Sequence, residues 1–137
     1  DMSNYKIMSA APAYFGDIEK CREATRWFPA MVGNHVADIV EKYGTDREDI
    51  PKSLTAYIRD RKGYDYSKHG QSDNAYLDFI TDDIIEGFAV LGTPDDHIAK
   101  LKKLESVGVT QFNIYLDNGD EENIISEYGK TVIPAMS

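Results

Sequence analysis

The sequence predicts an α/β fold built on parallel strands and mostly helical in content. Three observations point there. Two short apolar runs, Tyr5–Ala11 and Gln111–Leu116, read as strands. Amphipathic helices fill the chain between and after them. The connections on either side of the second strand are short, as in helix–strand–helix units of α/β proteins. Two parallel strands do not make a sheet that buries both faces, because parallel strands occur almost only inside larger, helix-covered sheets. The 137 residues therefore read as a single partial domain. Within it, 12–92 is a helical insertion and connection, and 93–137 is a final helix–strand–helix unit.

Each element has a local reason. Tyr5–Ala11 is apolar, with small side chains at Ser9, Ala10 and Ala11, and Pro12 removes a backbone donor and should end the strand. Asp17 is a helix cap, with Glu19 in the first turn. Helical spacing continues from Ile18 to Tyr43 through Trp27, Met31, Val36, Ile39 and Val40. Pro29 should kink or divide that helix, Gly33 weakens it and Gly44 ends it. Pro51 opens a helix through about Arg61, with Leu54, Tyr57 and Ile58 on one face. Tyr64–Ala75 is polar and aperiodic, a surface excursion. Thr81, Asp82 and Asp83 start a short helix containing Ile84, Ile85 and Phe88.

The clearest local pattern follows. Gly92-Thr93-Pro94-Asp95-Asp96 holds a Thr N-cap, a Pro at the first helical position and acids in the first turn. Asp96 falls three residues after Thr93, where a capping box places its acid, although Glu or Gln is usual. Ile98, Leu101, Leu104 and Val107 follow as one apolar stripe, and Gly108 stops the helix. Gln111–Leu116 alternates strictly: Phe112, Ile114 and Leu116 on one face, Gln111, Asn113 and Tyr115 on the other. A last helix runs from about Glu121 to Val132, with Ile124, Ile125, Tyr128 and Val132 inward and Pro134 closing it.

Composition excludes several classes. Apolar residues make up 42% and charged residues 28%, which argues against disorder. Fifteen basic against 24 acidic residues give a net charge of -9, so there is no basic face for nucleic acid and no polybasic membrane anchor. No apolar run approaches the roughly 20 residues of a membrane span. The single cysteine, Cys21, forms no internal disulfide and suits a reducing, cytoplasmic compartment. His35, His69 and His97 lack ligand spacing, and no metal site is expected.

From Phe88 to Tyr115 the order of motifs becomes specific. Gly92-Thr93-Pro94-Asp95, Gly108-Val109-Thr110-Gln111-Phe112 and Val132-Ile133-Pro134-Ala135 together resemble the C-terminal signature of the luciferase-like monooxygenases, the bacterial-luciferase superfamily of flavin- and F420-dependent oxidoreductases. Thr25-Arg26-Trp27-Phe28 and Gly33-Asn34-His35-Val36-Ala37-Asp38 resemble an F420-type subgroup, and the likeness covers nearly the whole chain. It implies a (β/α)8 TIM barrel. A whole barrel takes about 250 residues. The chain would then be a C-terminal fragment holding the last two parallel strands and their helices, inactive alone. It would form a homo-oligomer or pair with the missing N-terminal portion. The intact enzyme would use F420 or FMN to transfer hydride to or from a small-molecule substrate, or insert oxygen.

In such a barrel the site lies at the C-terminal ends of the strands. Ala10 and Ala11 leave room for a flat ring, and Asn113 and Tyr115 face it; these four are the expected cofactor contacts. Packing alone also accounts for small strand residues, and hydrogen bonding within a core for the polar ones. His35 is the candidate proton donor, although a lone helix histidine is commonly structural. Arg26 and Tyr64 are the candidate substrate contacts. Arg22 and Arg26, four apart, would share a helix face able to take a phosphate or carboxylate, or would simply pair with Asp17, Glu19 or Glu23. The competing expectation is a self-standing, acidic helical module that binds a basic protein without catalysis. There, Gln111, Asn113 and Tyr115 would face solvent; in a barrel piece they would be covered.

Overall fold

The computed structural model describes residues 4–43, 52 and 80–137. The chain divides into two compact units: Asp1–Thr25 with Ala89–Ser137, and Arg26–Phe88. The first contains the sheet. Its strands are β1 (Met8–Phe15), β2 (Val90–Gly92) and β3 (Gln111–Tyr115), parallel and ordered β2-β1-β3. Its helices are α1 (Ile18–Thr25), α4 (Pro94–Ser106), α5 (Glu121–Glu127) and the short α6 (Ile133–Met136). The second unit contains α2 (Trp27–Tyr43) and α3 (Asp82–Phe88), which pack on each other through buried residues that include Phe28, Ala30, Ile84 and Ile85.

The expected α/β class is present, with one more strand than the sequence pattern showed. Val90–Gly92 is only three residues long and wholly buried, so it has no alternation to read. β1 also differs: it starts at Met8 rather than Tyr5 and runs through Pro12 to Phe15. The pairing explains why a proline is tolerated in this central strand. Met8–Pro12 pairs with β3, and Ala13–Phe15 pairs with β2, so Pro12 sits at the changeover. Ile7 O accepts from Gln111 N on the β3 side, while Gly16 N donates to Gly92 O on the β2 side. Backbone groups alternate sides along a strand, so the nitrogen of Pro12 points toward β2, just before the first β2 pair. No ladder bond is lost there.

The long helix expected over 18–43 is two helices broken at Arg26. Pro29 lies in the first turn of α2, where its missing N–H has no intrahelical partner to lose. Gly33 sits inside α2 without interrupting it. In α4, Leu101 is buried and Ile98 and Leu104 pack on the core, but Val107 is 72% exposed. A spacing of three falls short of a helical turn by about 60° per step, so the stripe has rotated off the core by Val107. In α5, Ile124 is fully buried, whereas Ile125 is 60% exposed. Pro134 does not close the last helix. A π-helical turn, Tyr128–Val132, precedes it, with Ile133 N donating to Tyr128 O, and α6 continues to Met136. Widening the turn before a proline accommodates a ring that would crowd an α-helical carbonyl. The core of this unit lies between the sheet and α4–α6: Ala13, Val90, Leu101, Ile124, Tyr128 and Val132, with Phe15, Phe112 and Ile114 against it.

The expected Pro51–Arg61 helix, the Gly44 cap and the Tyr64–Ala75 excursion lie outside the described residues, apart from helical Lys52. No helix among the described residues is long and apolar enough to cross a membrane.

Candidate functional site

The sheet has two unlike faces. Ala13, Phe15, Val90, Phe112 and Ile114 meet the helices. The register puts Ala10 beside Asn113, Pro12 beside Tyr115 and Tyr14 beside Leu91. Paired residues of parallel strands share a face. The other face therefore carries Ala10, Pro12, Tyr14, Leu91, Gln111, Asn113 and Tyr115. The alternation expected of β3 is present: Phe112 and Ile114 are half-buried while Gln111, Asn113 and Tyr115 are exposed, Tyr115 by 45%.

Three of the four expected cofactor contacts thus come together. Ala10, Asn113 and Tyr115 lie on one face of adjoining strands. Ala11 does not join them. It is paired with Ile114 and buried on the helix side, because neighbours along a strand point to opposite faces. Nor do Ala10 and Ala11 end the strand; Tyr14 and Phe15 do. Gln111 Nε2 donates to Asn113 Oδ1 at 2.9 Å, and Asn113 Nδ2 points to Met8 Sδ at 3.0 Å. A thioether is a weak acceptor, so that amide is held loosely.

The rim at the C-terminal ends is well ordered by hydrogen bonds. Asn118 Nδ2 donates to Ala13 O at 3.0 Å, while its Oδ1 is buried without a partner among the described residues. Glu121 Oε1 accepts from the Gly119 and Asn118 amides, and with its own backbone amide as the chief cause these bonds hold the carboxyl below its ordinary range. Behind β2, Thr93 and Asp96 form the expected capping box: Asp96 N donates to Thr93 Oγ1, and Thr93 N donates to Asp96 Oδ2. The bonds from the Thr93 hydroxyl and amide hold the Asp96 carboxyl low.

A buried polar cluster lies under the rim. His97 is wholly buried, its ring stacked on Phe15 at 3.9 Å. Its Nε2 is 3.2 Å from Tyr14 O and its Nδ1 is 3.1 Å from the Tyr128 hydroxyl. A carbonyl can only accept, so Nε2 carries the proton and Nδ1 accepts from Tyr128. Burial drives the His97 pKa down to about 4, so the ring is neutral near pH 7. Cys21 Sγ also reaches Tyr14 O, at 3.4 Å, and burial raises its thiol pKa. It is an inert core residue rather than a nucleophile.

Arg26 and His35 belong to the second unit. Arg26 Nη1 donates to Ile80 O at 2.7 Å and its guanidinium lies 3.7 Å from Asp82, so it joins the starts of α2 and α3. His35 is exposed on α2. Arg22 pairs with Glu19 at 2.5 Å on α1, one of the acidic partners expected for it, and does not share a helix with Arg26. Tyr64 lies outside the described residues.

A family model described as luciferase-like monooxygenase matches residues 1–111. The chain belongs to the luciferase-like monooxygenase family. It is 30% identical over 121 residues to a 5,10-methylenetetrahydromethanopterin reductase of Methanopyrus kandleri, covering 86% of this chain and 31% of that protein. It is 28% identical over 122 residues to the protein of the same name from Archaeoglobus fulgidus, covering 88% of this chain and 35% of that protein. The chain spans about a third of the length of these relatives.

For this luciferase-like chain, sequence reasoning missed Tyr14, His97 and the bond that Tyr128 makes. Ending β1 at Pro12 hid Tyr14. His97 had a usable signal: it stands four residues before Leu101 and seven before Leu104, the true inward face of α4. Nothing local marks the pairing of His97 with Tyr128, 31 residues away.

Proposed function

We propose that this chain is the C-terminal portion of a (β/α)8-barrel oxidoreductase that transfers hydride between F420 and a small organic substrate. The observation that carries the reading is the shared face of β1 and β3, which bears Ala10, Asn113 and Tyr115 together and which further barrel strands would cover. A parallel sheet covered by helices on one side presents Ala10, Asn113 and Tyr115 together on the other. A planar ring needs a flat floor and hydrogen-bonding groups at its edge. Ala10 supplies a floor that a larger side chain would fill, and the loosely held Asn113 amide and the Tyr115 phenol stand on the adjoining strand. These residues fit a deazaflavin or flavin ring. Bound there, the cofactor would supply the hydride chemistry, while the protein supplies placement and electrostatics.

F420 is preferred to FMN because Thr25–Phe28 and Gly33–Asp38 resemble an F420-type subgroup and the two archaeal relatives are reductases. Their names make a one-carbon pterin the first substrate to assay. His35 and Arg26 remain proposals for proton donation and substrate contact. Association with further barrel strands, or with a second copy, is supported by β3 being an edge strand among the described residues and by an apolar groove of about 880 Å³ lined in part by Leu104, Phe112, Ile114, Val132, Ile133 and Met136.

F420 and FMN titrations and turnover assays test this reading on the chain alone and on the chain joined to the remaining strands. Turnover is expected only when the strands are joined, with binding lost in Ala10→Leu and weakened in Asn113→Ala. Robust turnover by the chain alone would overturn the fragment reading. The exposure of Gln111, Asn113 and Tyr115 also favours a second reading, the self-standing acidic module. Light scattering separates them: a clean monomer supports the module, and association supports the barrel piece.

A further inference from the structure

Tyr14 stands half-buried where a ligand on the face of Ala10, Asn113 and Tyr115 would meet the C-terminal rim, next to the buried Pro12 and Leu91. It is the last residue of β1 on that face, beside Leu91, and its phenol lies in the field of Asp120 and Glu121 at the start of α5. Its own peptide is gripped from the opposite side of the sheet. His97 Nε2–H donates to the Tyr14 carbonyl from α4, and the Cys21 thiol reaches the same oxygen from α1. The next residue, Phe15, is stacked against the His97 ring at an interplanar angle of 13°. The ring is fixed in turn by Tyr128, the residue that begins the π-helical turn. A π turn often marks a functional constraint. Here it carries the hydroxyl that donates to His97 Nδ1.

We propose that His97 is a positioning residue that aims Tyr14 at the ligand face of the sheet. It acts through the Tyr14 carbonyl and the Phe15 ring and touches no ligand itself. Tyr14 is then a further ligand contact, a neutral phenol that donates to a ring carbonyl or nitrogen. Burial and the neighbouring carboxylates raise its pKa and keep it protonated. The ligand assignment rests on the functional reading above; the aiming of Tyr14 does not.

The experiment uses the full chain with ring-labelled tyrosine, followed by NMR without ligand, and F420 titration of the chain joined to the remaining strands. His97→Leu is expected to move the Tyr14 ring resonances while Tyr115 stays in place. His97→Gln, whose amide replaces the Nε2 donor, should hold them near the native position. F420 binding should weaken about tenfold in His97→Leu and Tyr14→Phe and stay within about twofold in His97→Gln, the size expected for one well-placed hydrogen bond. If His97→Leu does not fold, Tyr128→Phe removes only the hydroxyl that orients the ring and should move Tyr14 in the same direction. An unmoved Tyr14 ring in a folded His97→Leu, or equal displacement by Leu and Gln, overturns the positioning role. F420 binding that survives Tyr14→Phe overturns the contact. A native joined protein that binds no F420 overturns the functional reading and with it the contact, while the ring resonances still decide His97.

Discussion

The Tyr128 hydroxyl lies 3.1 Å from His97 Nδ1 inside the core, and the histidine on the other end of that bond is wholly buried. The pair links α4 to the turn after α5, and both ring nitrogens of His97 are used. Protonating Nδ1 would force the Tyr128 hydroxyl to turn and accept, and would place a full charge on a ring wholly shielded from solvent. The structure is therefore built around a neutral imidazole.

That neutrality predicts a pH dependence. In the unfolded chain His97 takes up a proton as pH falls through about 6.5; in the folded chain it resists until about 4, chiefly through burial, with Lys100 adding to the effect and Asp96 opposing it. Between these values the unfolded state binds more protons. The His97 contribution is complete above pH 6.5, declines as pH falls and stops declining below about 4. The loss over that window is about 3 kcal/mol. The Asp96 and Glu121 carboxyls, held below 3.8 and 4.5, act only at the acid end. Urea unfolding between pH 7 and 4.5 should show a steep fall in the native chain and a flatter line in His97→Gln. Equal slopes would refute a neutral buried ring.

Neighbouring isoleucines of α5 should behave oppositely. Ile124 is wholly buried in the helix–sheet core, and Ile125 is largely exposed. Ile124→Ala should cost about 2–5 kcal/mol, the range for emptying a packed site. Ile125→Ala should stay within about 0.5 kcal/mol, as surface changes do. Denaturant midpoints measure both. Similar costs would mean that Ile125 is covered in solution, which is also the outcome expected if the apolar groove beside it is filled by another chain.

What was legible in the sequence was chemistry closed within one turn or one strand. Thr93 and Asp96 announce their capping box because both partners lie in the same turn. Phe112 and Ile114 announce the covered face of β3 because a strand has a period of two. What was not legible depends on a partner far away in the chain. Val90–Gly92 is a strand only because β1 lies beside it. Pro12 stays in β1 only because its neighbours change there from β3 to β2. Ending the strand at Pro12 moved the expected rim to Ala10 and Ala11, and so gave Ala11 a ligand-facing role that its pairing with Ile114 does not support. The Phe15–His97–Tyr128 cluster joins three elements, and no local pattern spans them.

Gly92 and Asp96 should be energetically coupled. Gly92 has φ +109°, and a Cβ there would lie 2.7 Å from Asp96 Oδ2. Gly92→Ala should therefore destabilise the chain by about 1–3 kcal/mol through backbone strain alone, with further loss as the carboxylate is pushed off the Thr93 amide. Asp96→Ala alone should cost about 1 kcal/mol, a typical cap. In the double variant the second loss has already occurred, so the combined cost should be less than the sum. A double-mutant cycle by thermal or urea unfolding measures the difference. Strict additivity would show that the two residues do not compete for the same space.

The alternation along β1 predicts where a proline is tolerated. Ile7 O faces β3 and Gly16 N faces β2, so odd-numbered residues of β1 bond toward β3 and even-numbered ones toward β2. Native Pro12 is even, at a point where β2 has not yet begun to pair. Pro12→Ala should therefore gain no ladder bond and lose only the stiffness of the proline in the unfolded chain, a cost of about 0.4–1 kcal/mol. Ala11 is odd and paired with Ile114. Ala11→Pro removes an N–H aimed at β3, leaves its carbonyl partner there unsatisfied and forces a ring into the paired strand, at a cost of about 2 kcal/mol or more. Urea unfolding of the two variants, with amide hydrogen exchange across β3, measures both the cost and its location. Equal costs, or exchange in β3 unchanged by Ala11→Pro, would show that β1 does not divide its bonding between the two neighbours in this way.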